Sequence, residues 1–191
     1  MSFGWSEELP SVDGVKVISK AISRAIHIRN NKILLFAAAS NFGANQPELF
    51  PGTHPFVTSI RATDSLGAFK KFNPPATDLS ALGTLGWKVP STTLRSKGEH
   101  EVGFSGTSAA TPIAAGIAAL MLGRALFRMK TEERDKHAPR LEKMWEKAGM
   151  ETMLQKLCVR TDYLYLSINA IMEDREGGKR ADRLMDIACG E

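Results

Sequence analysis

A serine and an asparagine have the sequence surroundings of groups that could take part in acyl transfer. Ser108 lies in Gly106-Thr107-Ser108-Ala109-Ala110-Thr111-Pro112. Because proline lacks an N–H and fits a helix only in its first turn, Pro112 predicts a helix that begins near Ser108. At the helix N-terminus, unpaired N–H groups and the helix dipole favour a developing anion beside the serine hydroxyl. On this local sequence alone, a serine that caps a core helix is an equally good interpretation.

The asparagine, Asn41, follows a continuous apolar run of strand length from Ile33 to Ala39. A run that is apolar on both faces is typical of a parallel strand covered by helices on each side. Ligands of open α/β sheets bind at the carboxyl ends of such strands. The Asn41 amide could therefore contact a substrate, although an asparagine before Gly43 is also a common turn residue.

Both stretches resemble one family. The segment from Gly106 to Gly116 is similar to the serine signature of the subtilase (peptidase S8) family, G-T-S-x-A-x-P-x-x-A-G, at every fixed position. The segment from Phe36 to Gly43 resembles the family's A-A-[GS]-N-x-G, which ends a buried strand. The resemblance implies a serine-type endopeptidase in which Ser108 is the nucleophile and Asn41 donates to the tetrahedral oxyanion.

A third stretch, Met1-Ser2-Phe3-Gly4, resembles the family's M-S-x-G strand, whose backbone pairs with an extended substrate. The implied substrate is a peptide or a protein. The other interpretation of this stretch is a frayed terminus. The resemblance implies two walls of a substrate site, made of Ser2, Phe3 and Gly4 on one side and of Ala38, Ala39 and Ser40 on the other.

The family's catalytic aspartate and histidine precede its M-S-x-G strand. The resemblance therefore predicts that the triad Asp and His are absent from this chain and lie before Met1. Without an adjacent base, a serine hydroxyl is a poor nucleophile at neutral pH. The alternative function is an inactive remnant or pseudoprotease that binds peptides or partners. None of the histidines has a His-Gly-Thr context, and we expect surface positions for His27, His54, His100 and His137.

The predicted fold is a three-layer α/β/α, subtilisin-like arrangement with a mostly parallel sheet, missing N-terminal strands and a helical C-terminal extension. We expect residues 1–127 to form a partial catalytic domain and residues 128–191 to form a charged extension of unknown role. Helices are predicted over 12–29, from Ser108 to Phe127, over 141–148 (stopped by Gly149) and from Met153. Strands are predicted at 33–39, 56–60, near 78–82 and near 87–89, and a loosely held tail at 173–183.

Composition excludes several other classes. The chain has 191 residues and a net charge of +4, and its scattered Lys and Arg favour a solvated surface over a nucleic-acid interface. The apolar run from Ala109 to Leu122 is too short to span a bilayer. Cys158 and Cys189 predict two free thiols, with a disulfide as the weaker alternative.

No metal-ligand spacing and no cofactor motif is present, although the resemblance allows structural calcium. Met1 is not followed by a basic and then an apolar segment, so no signal peptide is predicted. Low cysteine use and this start favour an intracellular location, and the sequence otherwise leaves the compartment open.

Overall fold

The computed structural model describes residues 1–4, 12–43, 45–76, 80–91, 102–131, 138–161, 163–167 and 179–190. Within these residues the strands, in chain order, are β1 (Phe36–Ala38), β2 (Thr58–Thr63), β3 (Leu82–Leu85), β4 (Val89–Ser91), β5 (Val102–Phe104), β6 (Val159–Arg160) and β7 (Leu164–Tyr165). The helices are α1 (Val12–Ile28), α2 (Thr107–Thr131), α3 (Ala138–Leu141), a 3₁₀ helix (Glu142–Trp145), α4 (Lys147–Leu157) and α5 (Lys179–Gly190).

A mixed sheet in the order β1-β2-β3-β7-β6 lies at the centre. β1, β2, β3 and β7 pair in parallel, and β6 returns antiparallel to β7. A separate antiparallel hairpin of β4 and β5 leads into α2. Because the parallel strands point the same way, the loops after β1, β2 and β3 all leave one edge of the sheet. This carboxyl edge carries the predicted site.

Helices cover both faces of the sheet, as the α/β/α prediction requires. Alternate residues of β1 point to opposite faces. Phe36 belongs to the main core together with α2 and α4, whereas Ala37 packs in a second core with Ile22 of α1. The apolar residues of α1 recur at helical spacing, and two of them, Ile22 and Ile26, are buried. The three-layer class is therefore correct.

Small residues allow α2 to lie close to the sheet. Ala110, Ala114 and Ala118 are almost completely buried against β1, β2 and β3. The helix is longer than the predicted apolar run from Ala109 to Leu122, and by length and composition it could cross a membrane. The core helix of a soluble protein meets the same criterion, so this property identifies no membrane span.

Several helix and strand boundaries in the structure differ from the predicted ones. The α1 prediction is confirmed, and the helix ends before Asn30 and Asn31, which both have positive φ. β2 begins two residues later than predicted, because a turn closed by the Val57 N–H and the His54 carbonyl (2.9 Å) occupies the start of that run. The strands predicted near 78–82 and 87–89 correspond to β3 and β4, shifted toward the C-terminus; residues 77–79 lie outside the described ones.

The predictions for the C-terminal segment were partly wrong. Gly149 does not stop a helix but lies inside α4, where a side chain would collide with the Lys143 carbonyl oxygen. The predicted loose tail contains the start of α5, which packs through residues spaced four apart, namely Ala181, Met185 and Cys189. Residues 173–178 lie outside the described ones. The division at residue 127 stays a prediction, although both parts contribute to the main core.

The two cysteines are free thiols, as predicted. Burial raises the pKa of the Cys158 thiol to about 12, and burial also raises that of Cys189. Only the thiolate is nucleophilic, so at pH 8 the native Cys158 should react with iodoacetamide two to three orders of magnitude more slowly than an ordinary thiol of pKa about 8.5. Peptide mass spectrometry of the native chain and of the chain in urea measures both rates. Equal rates in the two states would contradict this expectation.

Candidate active site

Ser108 lies in the first turn of α2, one residue after the helix begins. Its Oγ donates a hydrogen bond to the Ser2 carbonyl at 2.9 Å, and the Ser2 Oγ donates to the Ser108 carbonyl at 3.1 Å. Ser108 is half-buried, so its hydroxyl is reachable from solvent. The structure thus brings together two predicted site residues that are 106 positions apart.

Asn41 is fixed by the residue before the nucleophile. Its Oδ1 accepts hydrogen bonds from the Thr107 backbone N–H at 2.8 Å and from the Thr107 hydroxyl at 3.1 Å. Because a backbone N–H can only donate, the atom that faces it has to be the amide oxygen. The Asn41 Nδ2 group is then left as a donor, and it makes no hydrogen bond with the described residues. A preorganised amide donor beside a helix N-terminus suits a developing oxyanion.

Gly106 completes the connection across the carboxyl edge. Its N–H donates to the Gly86 carbonyl, just after β3, at 2.8 Å. Its φ is +151°, and a Cβ here would lie 2.9 Å from the Asn41 Nδ2, so a glycine is required on both grounds. Gly86 is equally confined, since a Cβ would lie 2.6 Å from the Ala62 Cβ. The segment from Gly106 to Ser108 therefore bridges the ends of β3 and β1 and the N-terminal segment.

The N-terminal segment adds one paired residue, Met1, to the sheet beside β1. The Met1 amino group donates to the Phe36 carbonyl at 2.5 Å, and the Met1 carbonyl accepts from the Ala38 N–H at 2.9 Å. This is the pattern of a parallel pair. The segment is therefore docked and not frayed at Met1 and Ser2.

The other predicted substrate residues lie around this docked segment. Phe3 is 54% exposed, and Gly4 lies so close to the Phe50 carbonyl that a Cβ would be 2.9 Å from it. The opposite predicted wall, Ala38, Ala39 and Ser40, is buried at the end of β1. Their part in substrate binding stays a prediction.

Neither histidine in the described residues makes a hydrogen bond with Ser108. His27 is exposed on α1, as predicted. His54 is buried, so the surface prediction was wrong for it; its ring packs edge-on to Phe50 and its Nε2 pairs with the Ser19 hydroxyl at 3.2 Å. Burial lowers the pKa of His54, which favours its neutral form. His100 and His137 lie outside the described residues.

Sequence reasoning missed two positioning residues. Thr107 orients the Asn41 amide, and Gly86 accepts the Gly106 N–H. The fixed Thr in the serine signature was a signal for the first. For Gly86 the sequence offered only a glycine after a short apolar run.

A separate cavity of about 580 Å³ contains none of the predicted site residues. Its lining includes Arg61, Glu48 and Glu151. The Arg61 side chain is 5% exposed and pairs with Glu48 at 3.3 Å, and burial raises the pKa of Glu48. Among the described residues, no three His, Cys, Asp or Glu side chains come together as a metal site would require.

Asp64, after β2, organises the same carboxyl edge. A hydrogen bond from Lys70 (2.5 Å) and others from the Ala68 and Leu66 N–H groups hold the pKa of Asp64 below its ordinary value of about 3.9. A lowered carboxyl pKa contributes stability above the ordinary pKa, and this stability is lost as the pH falls through the lower, folded-state value.

We therefore expect the urea midpoint of the wild-type chain to fall more than that of Asp64→Asn between about pH 5 and pH 3. Urea titrations at several pH values test this difference. Parallel pH profiles for the two chains would contradict the expectation.

Comparisons with known proteins assign the chain to a family. The model of the subtilase family, peptidase S8, matches residues 1–174. A thermostable alkaline protease of Halalkalibacterium halodurans is 36% identical over 118 residues, which cover 61% of this chain and 30% of that protein. The chain belongs to the subtilase family, whose members are serine-type proteases.

Solved structures show the same fold. The protease domain of PatA, in a serine-to-alanine mutant, has a TM-score of 0.63 at 22% identity, over 93% of this chain and 59% of that one. The PatG macrocyclase in complex with peptide has a TM-score of 0.60 at 18% identity, over 100% of this chain and 50% of that one. The matched segments thus span between 30% and 59% of the length of these relatives.

Proposed function

We propose that this chain is the part of a serine endopeptidase domain that carries the nucleophile and the oxyanion donor. The observation that supports the proposal most directly is the bridge from Gly106 to Ser108. It holds the Ser108 hydroxyl at a helix N-terminus and turns the Asn41 amide N–H₂ outward from its Thr107 anchor.

In the proposed reaction, the Ser108 Oγ attacks the carbonyl carbon of the scissile peptide bond while a base takes the hydroxyl proton. The carbonyl oxygen gains the negative charge of the tetrahedral intermediate, and the Asn41 amide and the α2 N-terminus stabilise it. Collapse of the intermediate expels the amine, which receives the proton, and leaves an acyl-enzyme that water hydrolyses.

The base has to be supplied from outside the described residues. The partner of the Ser108 hydroxyl in the structure is the Ser2 carbonyl, which can accept a hydrogen bond but cannot remove a proton at neutral pH. The family resemblance assigns the base to a histidine, oriented by an aspartate, on a segment that precedes Met1. Efficient hydrolysis is therefore proposed only for a polypeptide or complex that includes this segment.

Labelling with a fluorophosphonate probe, which phosphonylates activated serines, tests this function. We expect slow labelling of the chain alone and rapid labelling at Ser108 when the Asp and His segments are present. Ser108→Ala should abolish the signal, whereas Ser65→Ala, at an exposed serine after β2, should not change it. Slow labelling of the complete polypeptide would contradict the proposal.

A second function is an inactive subtilase remnant that binds extended peptides. The hydrogen bond from the Ser108 hydroxyl to Ser2 favours it, because it ties the hydroxyl to a group with no catalytic use. This function predicts peptide binding without rapid labelling, even when preceding segments are included.

A further inference from the structure

A partly exposed aromatic and basic surface lies on the carboxyl edge next to the proposed catalytic residues. We call it the Trp87 surface, and it consists of Phe72, Trp87, Lys70 and Lys88. The rings of Phe72 and Trp87 are 6.1 Å apart, and Trp87 is 38% exposed. The Lys70 and Lys88 ammonium groups lie 5.4 and 6.0 Å from the centre of the Trp87 ring.

The strand order fixes where this surface lies relative to Ser108. Trp87 follows Gly86 at the end of β3. The N-terminal segment, which includes Ser2, lies beside β1 on the side away from β2. The bridge from Gly106 to Ser108 joins these two places. A peptide that pairs with the N-terminal segment and presents its scissile bond to Ser108 would therefore continue toward Trp87. The Gly43 N–H, two residues beyond Asn41, also donates to the Phe72 carbonyl at 2.9 Å. This hydrogen bond joins the loop that carries Asn41 to the Trp87 surface.

The Lys70 side chain and the Lys88 backbone are held in place. Lys70 is anchored by Asp64 at 2.5 Å. Lys88 has a φ of +52°, a left-handed conformation that is unfavourable for lysine, and its N–H donates to the Ser105 Oγ at 2.9 Å. The other described non-glycine residues with positive φ are asparagines, which tolerate it. Backbone strain of this kind clusters at functional sites, and here it lies at the residue that carries a charge over the tryptophan.

The charge of the surface selects its ligand. Asp64 balances the charge of Lys70, but Lys88 has no carboxylate partner among the described residues. Lys71, which follows Lys70 in the sequence, is exposed. We propose that the Trp87 surface binds an acidic residue of the substrate on the leaving-group side of the scissile bond. This inference rests on the proposed function, together with the assignment of the acyl half of the substrate to the N-terminal segment, and it adds a preference that the family signature does not specify.

Peptide binding tests the preference without requiring hydrolysis. The probes are two fluorescein-labelled ten-residue peptides with the same apolar first half and with either Asp-Glu or Asn-Gln after it. By fluorescence anisotropy at low salt we expect the acidic peptide to bind the full chain about three- to fivefold more tightly. The difference should shrink at about 0.5 M salt, where charges are screened. Equal affinities for the two peptides would overturn the inference.

Lys88→Asn removes the charge and keeps a residue that tolerates the left-handed backbone, so it should abolish the difference between the peptides without unfolding the chain. Lys20→Asn, at an exposed lysine of α1, is the matched control and should keep the difference. An equal loss in both variants would indicate net charge alone and contradict a local site.

Ser108→Ala separates this inference from the proposed function. The acidic preference should persist in that variant, because binding does not need the nucleophile. A complete polypeptide that never labels with fluorophosphonate but still prefers the acidic peptide would refute hydrolysis and leave the Trp87 surface supported. Rapid labelling without any acidic preference would support hydrolysis and refute the Trp87 surface as a binding site for acidic residues.

Discussion

Replacing Asn41 with alanine is expected to lower kcat about 100- to 1000-fold in a polypeptide that also contains the triad histidine and aspartate. The corresponding loss, about 2.7–4 kcal/mol of transition-state stabilisation, was measured for the equivalent donor in subtilisin, a member of this family. The Asn41 Nδ2 would contact the substrate oxygen only as it becomes charged. KM should therefore change much less than kcat.

The matched control is Asn41→Asp. A carboxylate keeps an acceptor for the two Thr107 donors, at 2.8 and 3.1 Å, but it has no N–H to donate. We expect this variant to fold like the wild type and to be at least as impaired as Asn41→Ala. Steady-state kinetics on a peptide substrate and a urea titration measure the two effects. An active aspartate variant would show that Asn41 only positions Thr107.

Replacing Gly149 with alanine is expected to destabilise the chain by about 3 kcal/mol, at the upper end of overpacking effects. A Cβ at this position would lie 2.1 Å from the Lys143 carbonyl oxygen and 2.7 Å from its carbon. Both atoms belong to the backbone, and the same oxygen accepts the Glu146 N–H at 3.0 Å. Relief of the clash would therefore separate the 3₁₀ helix from α4. Urea unfolding measures the change.

Gly123→Ala is the control for the intrinsic preference of alanine for helices. Gly123 lies in α2 with no atom within 4 Å of its would-be Cβ, so alanine should stabilise the chain by about 0.5–1 kcal/mol. Opposite signs for the two glycine variants are the decisive result. A stabilised Gly149→Ala variant would mean that the junction between the 3₁₀ helix and α4 is looser than the structure indicates.

The sequence was most informative where one local pattern determines one element. Continuous apolar residues before Asn41 and the early proline of α2 were enough to place β1 and the start of α2. Family resemblance then paired two stretches that are 66 residues apart at Asn41 and Thr107. Periodicity alone contains no such information, because it describes each element separately.

The errors arose where tertiary contacts override local preference. Gly149 ordinarily ends a helix, but in this chain the close approach of the Lys143 backbone requires a glycine within α4. The charges near 179–183 suggested a loose tail, yet Asp182 pairs with Arg124 at 2.5 Å and holds α5 on α2. His54 looked like a surface residue, and its burial depends on the position of α1. None of these neighbours is adjacent in sequence.

The bridge from Gly106 to Ser108 also has a consequence for folding. Its anchors, Ser2, Asn41 and Gly86, come from three distant parts of the chain, and contacts of such large sequence separation form late because loop closure has to precede them. A chain in which the N-terminal segment, β1 and β3 have not yet come together would therefore hold neither the serine nor the amide in place. The proposed nucleophile and oxyanion donor would come together only in the finished fold, and under the proposed function this would protect the newly made chain and its neighbours from premature cleavage.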